Sequence, residues 1–144
     1  MTSWSRIAAL PAAAMATFAL AGCGGDKATM ATFAGGWHGH GRTLKITRSG
    51  NAEEWISYGL GNFVIALRFH LSQPKGTPHD ATATATVTAV RIGDRSAFTA
   101  ARPPPRVGES RRIRLRDGVI TETLTGANYC GPTAGDWLDA GCGA

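Results

Sequence analysis

From Phe33 onward the chain alternates apolar and polar residues in short stretches separated by turn signals, with no helical period among them. Trp37–Arg48 is the first strand candidate, closed by Ser49-Gly50-Asn51, and Glu54–Tyr58 returns beside it. Gly59 and Gly61 punctuate the way to Asn62–Leu71, where Phe63, Ile65, Leu67, Phe69 and Leu71 are expected on one face. Lys75-Gly76-Thr77-Pro78 reads as a loop. Ala81–Ile92 then alternates Ala81, Ala83, Ala85, Val87 and Ala89 against Thr82, Thr84, Thr86 and Thr88. Pro103-Pro104-Pro105 does not fit a central strand and reads as an extended crossover. Arg111–Arg116 and Val119–Thr125 flank Asp117-Gly118, a dipeptide that tolerates positive φ and predicts a tight hairpin.

Roughly six or seven strands of this kind must close or stack, because one open sheet would leave a wide apolar face wet. The expected fold is therefore all-β: a small antiparallel barrel or a β-sandwich, with a C-terminal disulfide loop. The small side chains of Ala81–Ala89 leave room inside it. Trp37, Trp55, Phe63 or Phe69 fill that room, or it stays open as a ligand cavity lined by Phe63, Ile65, Leu67, Phe69, Ala83 and Ala85. Close packing of protein interiors favours filling. Gly35-Gly36-Trp37 resembles the G-x-W element that opens the first strand of lipocalin-like barrels. The resemblance implies a barrel beginning at this tripeptide.

Ahead of the strands, Arg6 is followed by the uncharged, alanine-rich run Ile7–Leu20. That run has no polar face for a soluble amphipathic helix, and it is short of the about 20 residues that span a bilayer. A secretory signal cut elsewhere is one reading. The run ends, however, in Leu20-Ala21-Gly22-Cys23, which resembles the lipobox of bacterial lipoproteins. The resemblance implies that residues 1–22 are a signal peptide and that Cys23 carries lipid, palmitate included. It further implies residues 23–32 as a lipidated tether and 33–144 as a single β-domain outside the cytoplasm, held to the cell membrane. In its lipobox and its Gly/Ala/Arg-rich composition the chain also resembles small lipoproteins of high-GC Gram-positive bacteria. That resemblance implies no activity.

The three cysteines agree with an exported protein. With Cys23 lipidated, Cys130 and Cys142 remain and are expected to pair, adding about 3 kcal/mol by restricting the unfolded chain. A metal site or a catalytic thiol is the alternative, but neither cysteine sits in a C-x-x-C arrangement or near a histidine.

The formal net charge is +5 and most basic residues are arginine, a bias of GC-rich genomes that is not read as nucleic-acid binding. Arg102, Arg106, Arg111, Arg112, Arg114 and Arg116 cluster, with Arg112, Arg114 and Arg116 opposite Ile113 and Leu115 on their strand. Such a row docks on anionic lipid or acidic wall polymer, or simply keeps an outer face solvated. The interspersed Glu109 and Asp117 favour the latter. His38 and His40 share a side of an extended strand and, with His70 or His79, offer imidazoles to zinc. Without a bulge they sit on the Leu44/Ile46 face. A bulge near Gly39 or Gly41 brings Trp37 onto that face and turns the histidines out, the favoured reading. Glu53 and Glu54 point to opposite faces, so they form no acid/base pair. Asp136 and Asp139 are too few for calcium. No nucleophile elbow, zinc-protease or phosphate-loop motif is present. The expectation is a non-enzymatic binding module with no metal or cofactor, holding a small apolar or amphipathic envelope molecule in the barrel. The second expectation is a surface protein–protein device, such as an inhibitor or accessory lipoprotein.

Overall fold

The alternation is realised as antiparallel strands that pair in sequence order, the last returning to the first to close a barrel. The computed structural model describes residues 26–58, 62–123 and 125–143. Its strands are β1 Gly35–Gly39, β2 Arg42–Ile46, β3 Asn51–Tyr58, β4 Asn62–Gly76, β5 Asp80–Ile92, β6 Ser110–Arg116, β7 Val119–Glu122 and β8 Asn128–Cys130. Two short 3₁₀ turns, Met30–Phe33 and Arg95–Ala97, are the only helical elements among the described residues. None of these is long and apolar enough to cross a membrane. The lipobox and the whole signal segment lie outside the described residues, as do Gly59 and Gly61.

Trp37–Arg48, which reads as one strand by its alternation, is a hairpin. His40-Gly41 makes a two-residue turn, with Gly41 at φ 63° where a Cβ would meet the Ser57 carbonyl at 2.7 Å. Trp37 then pairs with Leu44, which puts both inside and His38 outside. The favoured outcome of the bulge argument is thus reached by a turn. Gly35 opens the first strand, as the G-x-W resemblance implied. Asp117 and Gly118 both take positive φ, 50° and 78°, as the β6–β7 turn requires.

Two bulges revise the expected faces. Ile56 pairs with Ile65 but Ser57 with Phe63, so β4 carries Val64 as an extra residue. The carbonyl of Val64 accepts the N–H groups of Gly93 and Asp94 at 2.8 and 3.1 Å, which fixes the bulge. Phe63 is thereby carried off the Ile65–Leu71 face to the outside of the barrel, against Trp55 (ring centroids 5.3 Å apart). On β5 Val87 pairs with Phe69 but Ala89 with Arg68, leaving Thr88 unpaired. Ala89 therefore faces out, and Val90 and Ile92 replace it on the inner side.

The core is the barrel interior, formed by Leu44, Ile46, Leu67, Phe69, Leu71, Val87, Ile113, Leu115 and Ile120 around the small Ala81, Ala83 and Ala85. Phe33, fully buried on the 3₁₀ turn, plugs one end, and the indole N–H of Trp37 donates to its carbonyl at 3.0 Å. Ala28 is pinned to the same end by its N–H to the Gly76 carbonyl, 2.9 Å.

Cys130 at the end of β8 is bonded to Cys142, with their Cα atoms 5.8 Å apart. The loop between them folds back over β1, and Trp137 stacks on His38 at 5.9 Å and 17°. Replacing Cys142 by Ala should lower unfolding free energy by about 2–5 kcal/mol in urea titrations, and the unreduced wild-type protein should show no free thiol from this pair.

Candidate functional site

Alternation puts charge inside this barrel as well as outside. Glu54 shares a face with Ala52 and Ile56, and Glu122 pairs across the ladder with the inward Ile113. Arg111, one step from Ile113, lies on that inner face too, and its side chain is only 10% exposed. These groups gather toward the end opposite the Phe33 plug. There the Tyr129 hydroxyl donates to Glu54 Oε1, and the Arg42 guanidinium carbon lies 5.9 Å from the Tyr129 ring centre. Glu122 Oε2 accepts the hydroxyl of Thr125 and its backbone N–H, the latter at 2.8 Å. Arg111 reaches Glu109 Oε1 at 3.2 Å.

Burial raises the Glu54 carboxyl above its ordinary range, with Glu122 adding to the rise, while the Tyr129 hydrogen bond and the charges of Arg42 and Arg111 oppose it. Tyr129 is driven far up by burial and by the Glu54 charge beside it. This cluster is absent from the sites expected from the sequence. Its signal was the alternation itself, which sets Arg42 with Leu44 and Arg111 with Ile113. Arg111 was instead grouped with the outer arginines.

The cavity beside these residues is small. Leu44, Ile46, Phe69, Leu71, Ile113 and Ile120 close around about 20 Å³, little more than the roughly 10–15 Å³ that one water requires. Of the residues expected to line a ligand pocket, Ile65, Leu67, Phe69, Ala83 and Ala85 are buried in the packed interior. Phe69 and Ala85 reach the small cavity, and Phe63 is outside altogether.

The larger spaces are external, one of about 580 Å³ beside Arg114, Arg116 and Asp117. An open cleft of about 600 Å³ lies at the plugged end between β1, the β4–β5 loop and the disulfide loop. Gly35, Gly36, His38, Pro78, His79, Pro132 and Trp137 line it. Trp137 remains 40% exposed and the neighbouring Leu138 66%. Asp136 Oδ1 accepts the Leu138 N–H at 2.8 Å, so this carboxylate shapes the loop locally. His38 and His79 border the same cleft, whereas His70 is elsewhere, its Nδ1 3.1 Å from Asn51 Oδ1. Among the described residues no three His, Cys, Asp or Glu side chains gather as a metal site.

The outer arginine row is partly neutralised. Arg114 holds Asp80 with two bonds of 3.1 and 2.9 Å, which keeps the Asp80 carboxyl below its usual value, and Arg116 approaches Asp117 at 3.6 Å. The chain matches no family model, no curated protein and no solved structure.

Because burial raises Glu54 above the ordinary value of 4.5, the folded state holds its proton to higher pH than the unfolded chain does. Its contribution to stability is therefore complete below 4.5 and is lost as pH rises through the raised value. Glu54→Gln should raise the urea midpoint relative to wild type at about pH 8, and the difference should vanish near pH 4. An equal difference at both would refute this account of the cluster.

Proposed function

We propose that the protein is a cell-envelope lipoprotein that binds another protein through its outer surface, at the cleft bordered by Trp137. The observation that carries this reading is the contrast in space: about 20 Å³ inside the barrel against an open cleft of about 600 Å³ outside it. A void large enough for a small molecule typically measures at least about 300 Å³, so the interior favours packing over storage of a ligand. An exposed tryptophan beside an exposed leucine suits an interface, where aromatic anchors carry much of the binding energy. The function is binding rather than catalysis, and needs no cofactor.

Anchoring rests on Leu20-Ala21-Gly22-Cys23, with the lipid on Cys23 and the domain outside the cytoplasm. Cys23→Ala should move the protein from the membrane fraction to the soluble one or block its processing. Unchanged partitioning together with an unchanged mature mass would refute the anchor.

For the interface, a photo-crosslinking residue at position 137 should give one discrete protein adduct in the host's envelope, and the same residue at exposed Arg48 should not. Native mass spectrometry of the purified protein should show no bound small molecule. A co-purifying lipid beyond the covalent anchor, with no adduct from position 137, would restore the barrel-ligand reading.

A further inference from the structure

The barrel is closed unevenly, and the uneven part lies in the cleft. Strand β1 pairs with β2 over its whole length, Gly35 to Gly39, but with β8 only at His38–Cys130. Backbone groups of successive residues in an antiparallel strand point to alternate sides. The two-residue turn makes Gly39–Arg42 a hydrogen-bonded pair, so Gly35, Trp37 and Gly39 bond toward β2. Gly36 and His38 then direct their N–H and C=O groups the other way, toward β8. His38 finds Cys130 there.

Among the described residues Gly36 has no backbone partner on that side. Continuing the His38–Cys130 register would set Gly36 opposite Pro132, which has no N–H to give. The chain turns there as well, the Ala134 N–H bonding the Gly131 carbonyl at 3.1 Å. Gly36 is exposed, and a Cβ built on it meets no atom within 4 Å. A donor and an acceptor with strand spacing thus stand at the floor of an open cleft, with Trp137 on its wall. An unpaired strand edge of this kind is a template for another extended backbone.

We infer that the cleft takes an extended peptide segment of a partner protein, which adds to the β1 edge at Gly36 and replaces the strand pairing that Pro132 denies to β8. The inference deepens the proposed function and rests on it, since it names how the outer-surface partner is held. Two features of the cleft define the segment. The polar side chains lining it include His38 and His79, whose rings offer hydrogen-bonding nitrogens, so a polar side chain able to bond an imidazole complements it. The exposed face of Trp137 suits an apolar residue next to the paired one. Small size at Gly36 lets the incoming backbone approach without a side chain between them.

The Gly36 amide reports on this directly. In NMR hydrogen exchange on the full chain, it should exchange fast in the free protein while the Trp37 amide, bonded to β2, is protected. A library of random linear peptides of about ten residues, selected on the full chain, should yield binders carrying a polar side chain next to an apolar one. They should slow Gly36 exchange by at least about tenfold. Gly36→Pro replaces the amide proton that faces the cleft with a ring carbon and should weaken those peptides by at least about tenfold. Should that variant fail to fold, the exchange measurements decide alone. Protection of Gly36 in the free protein, no selected binder, or binders that leave its exchange unchanged would each overturn the inference. If position 137 crosslinks to a protein whose binding leaves Gly36 unprotected, the proposed function stands and this inference falls. Absence of any such adduct removes the proposed function itself.

Discussion

Closure of the sheet depends on the one bridge between His38 and Cys130. Everything inside the barrel is protected from water because β8 reaches β1 there, and β8 is only three residues long. The disulfide reinforces that contact from behind by holding the loop after β8 against the outside of β1, where Trp137 lies on His38. Phe33 caps the same end from below. The strongest part of the barrel is the long β4–β5 ribbon, and the weakest is the seam. The seam is also where the open cleft and the free backbone pair are found, so the cost of a short closing strand falls at the place that has room for a partner.

The interior resolves the contest between cavity and filling through the distribution of side-chain size. Ala81, Ala83 and Ala85 are small, but they face Phe69, Leu71, Ile113 and Leu115 from the neighbouring strands, and these take up the space. Toward the other end the filling is polar. Tyr129 donates to Glu54 with Arg42 near its ring, Arg111 is held by Glu109 and Glu122 by Thr125, and among the described residues no buried side-chain polar atom lacks a partner. A buried polar or charged group left alone would cost several kcal/mol, and Arg111 and Glu122 avoid that through partners at the barrel rim.

Period-two patterning made most of the fold legible in the sequence. Leu67, Phe69, Ala83, Ala85 and Ile113 fall where alternation put them, and Asp117-Gly118 makes its turn for the reason its residues suggest. The disulfide was legible from cysteine number and spacing. What alternation cannot show is a change of count. The extra residues Val64 and Thr88 each flip the residues beyond them, and the turn at His40-Gly41 does the same within a stretch that reads as continuous. Phe63 and Ala89 therefore lie on the face opposite to the expected one. The three residues of β8 are too few to carry a period. Of the candidate site, Trp137 and Leu138 stand in the sequence as an apolar pair between Asp136 and Asp139. The free edge at Gly36 was not legible, because it depends on what Pro132 fails to offer from the far end of the domain.

The seam also sets an order on folding. Strands β1 to β7 are joined to their neighbours by local hairpins and one longer loop, and each pairing closes a modest stretch of chain. The His38–Cys130 contact instead joins the two ends of the domain, so it bears the largest loop entropy and gains little until the intervening strands are in place. It is a closing step, late by topology. The bond to Cys142, by contrast, encloses a short segment and can form early. Oxidation would then hold the return strand in a compact shape before there is a barrel for it to complete, shortening the search that ends in closure.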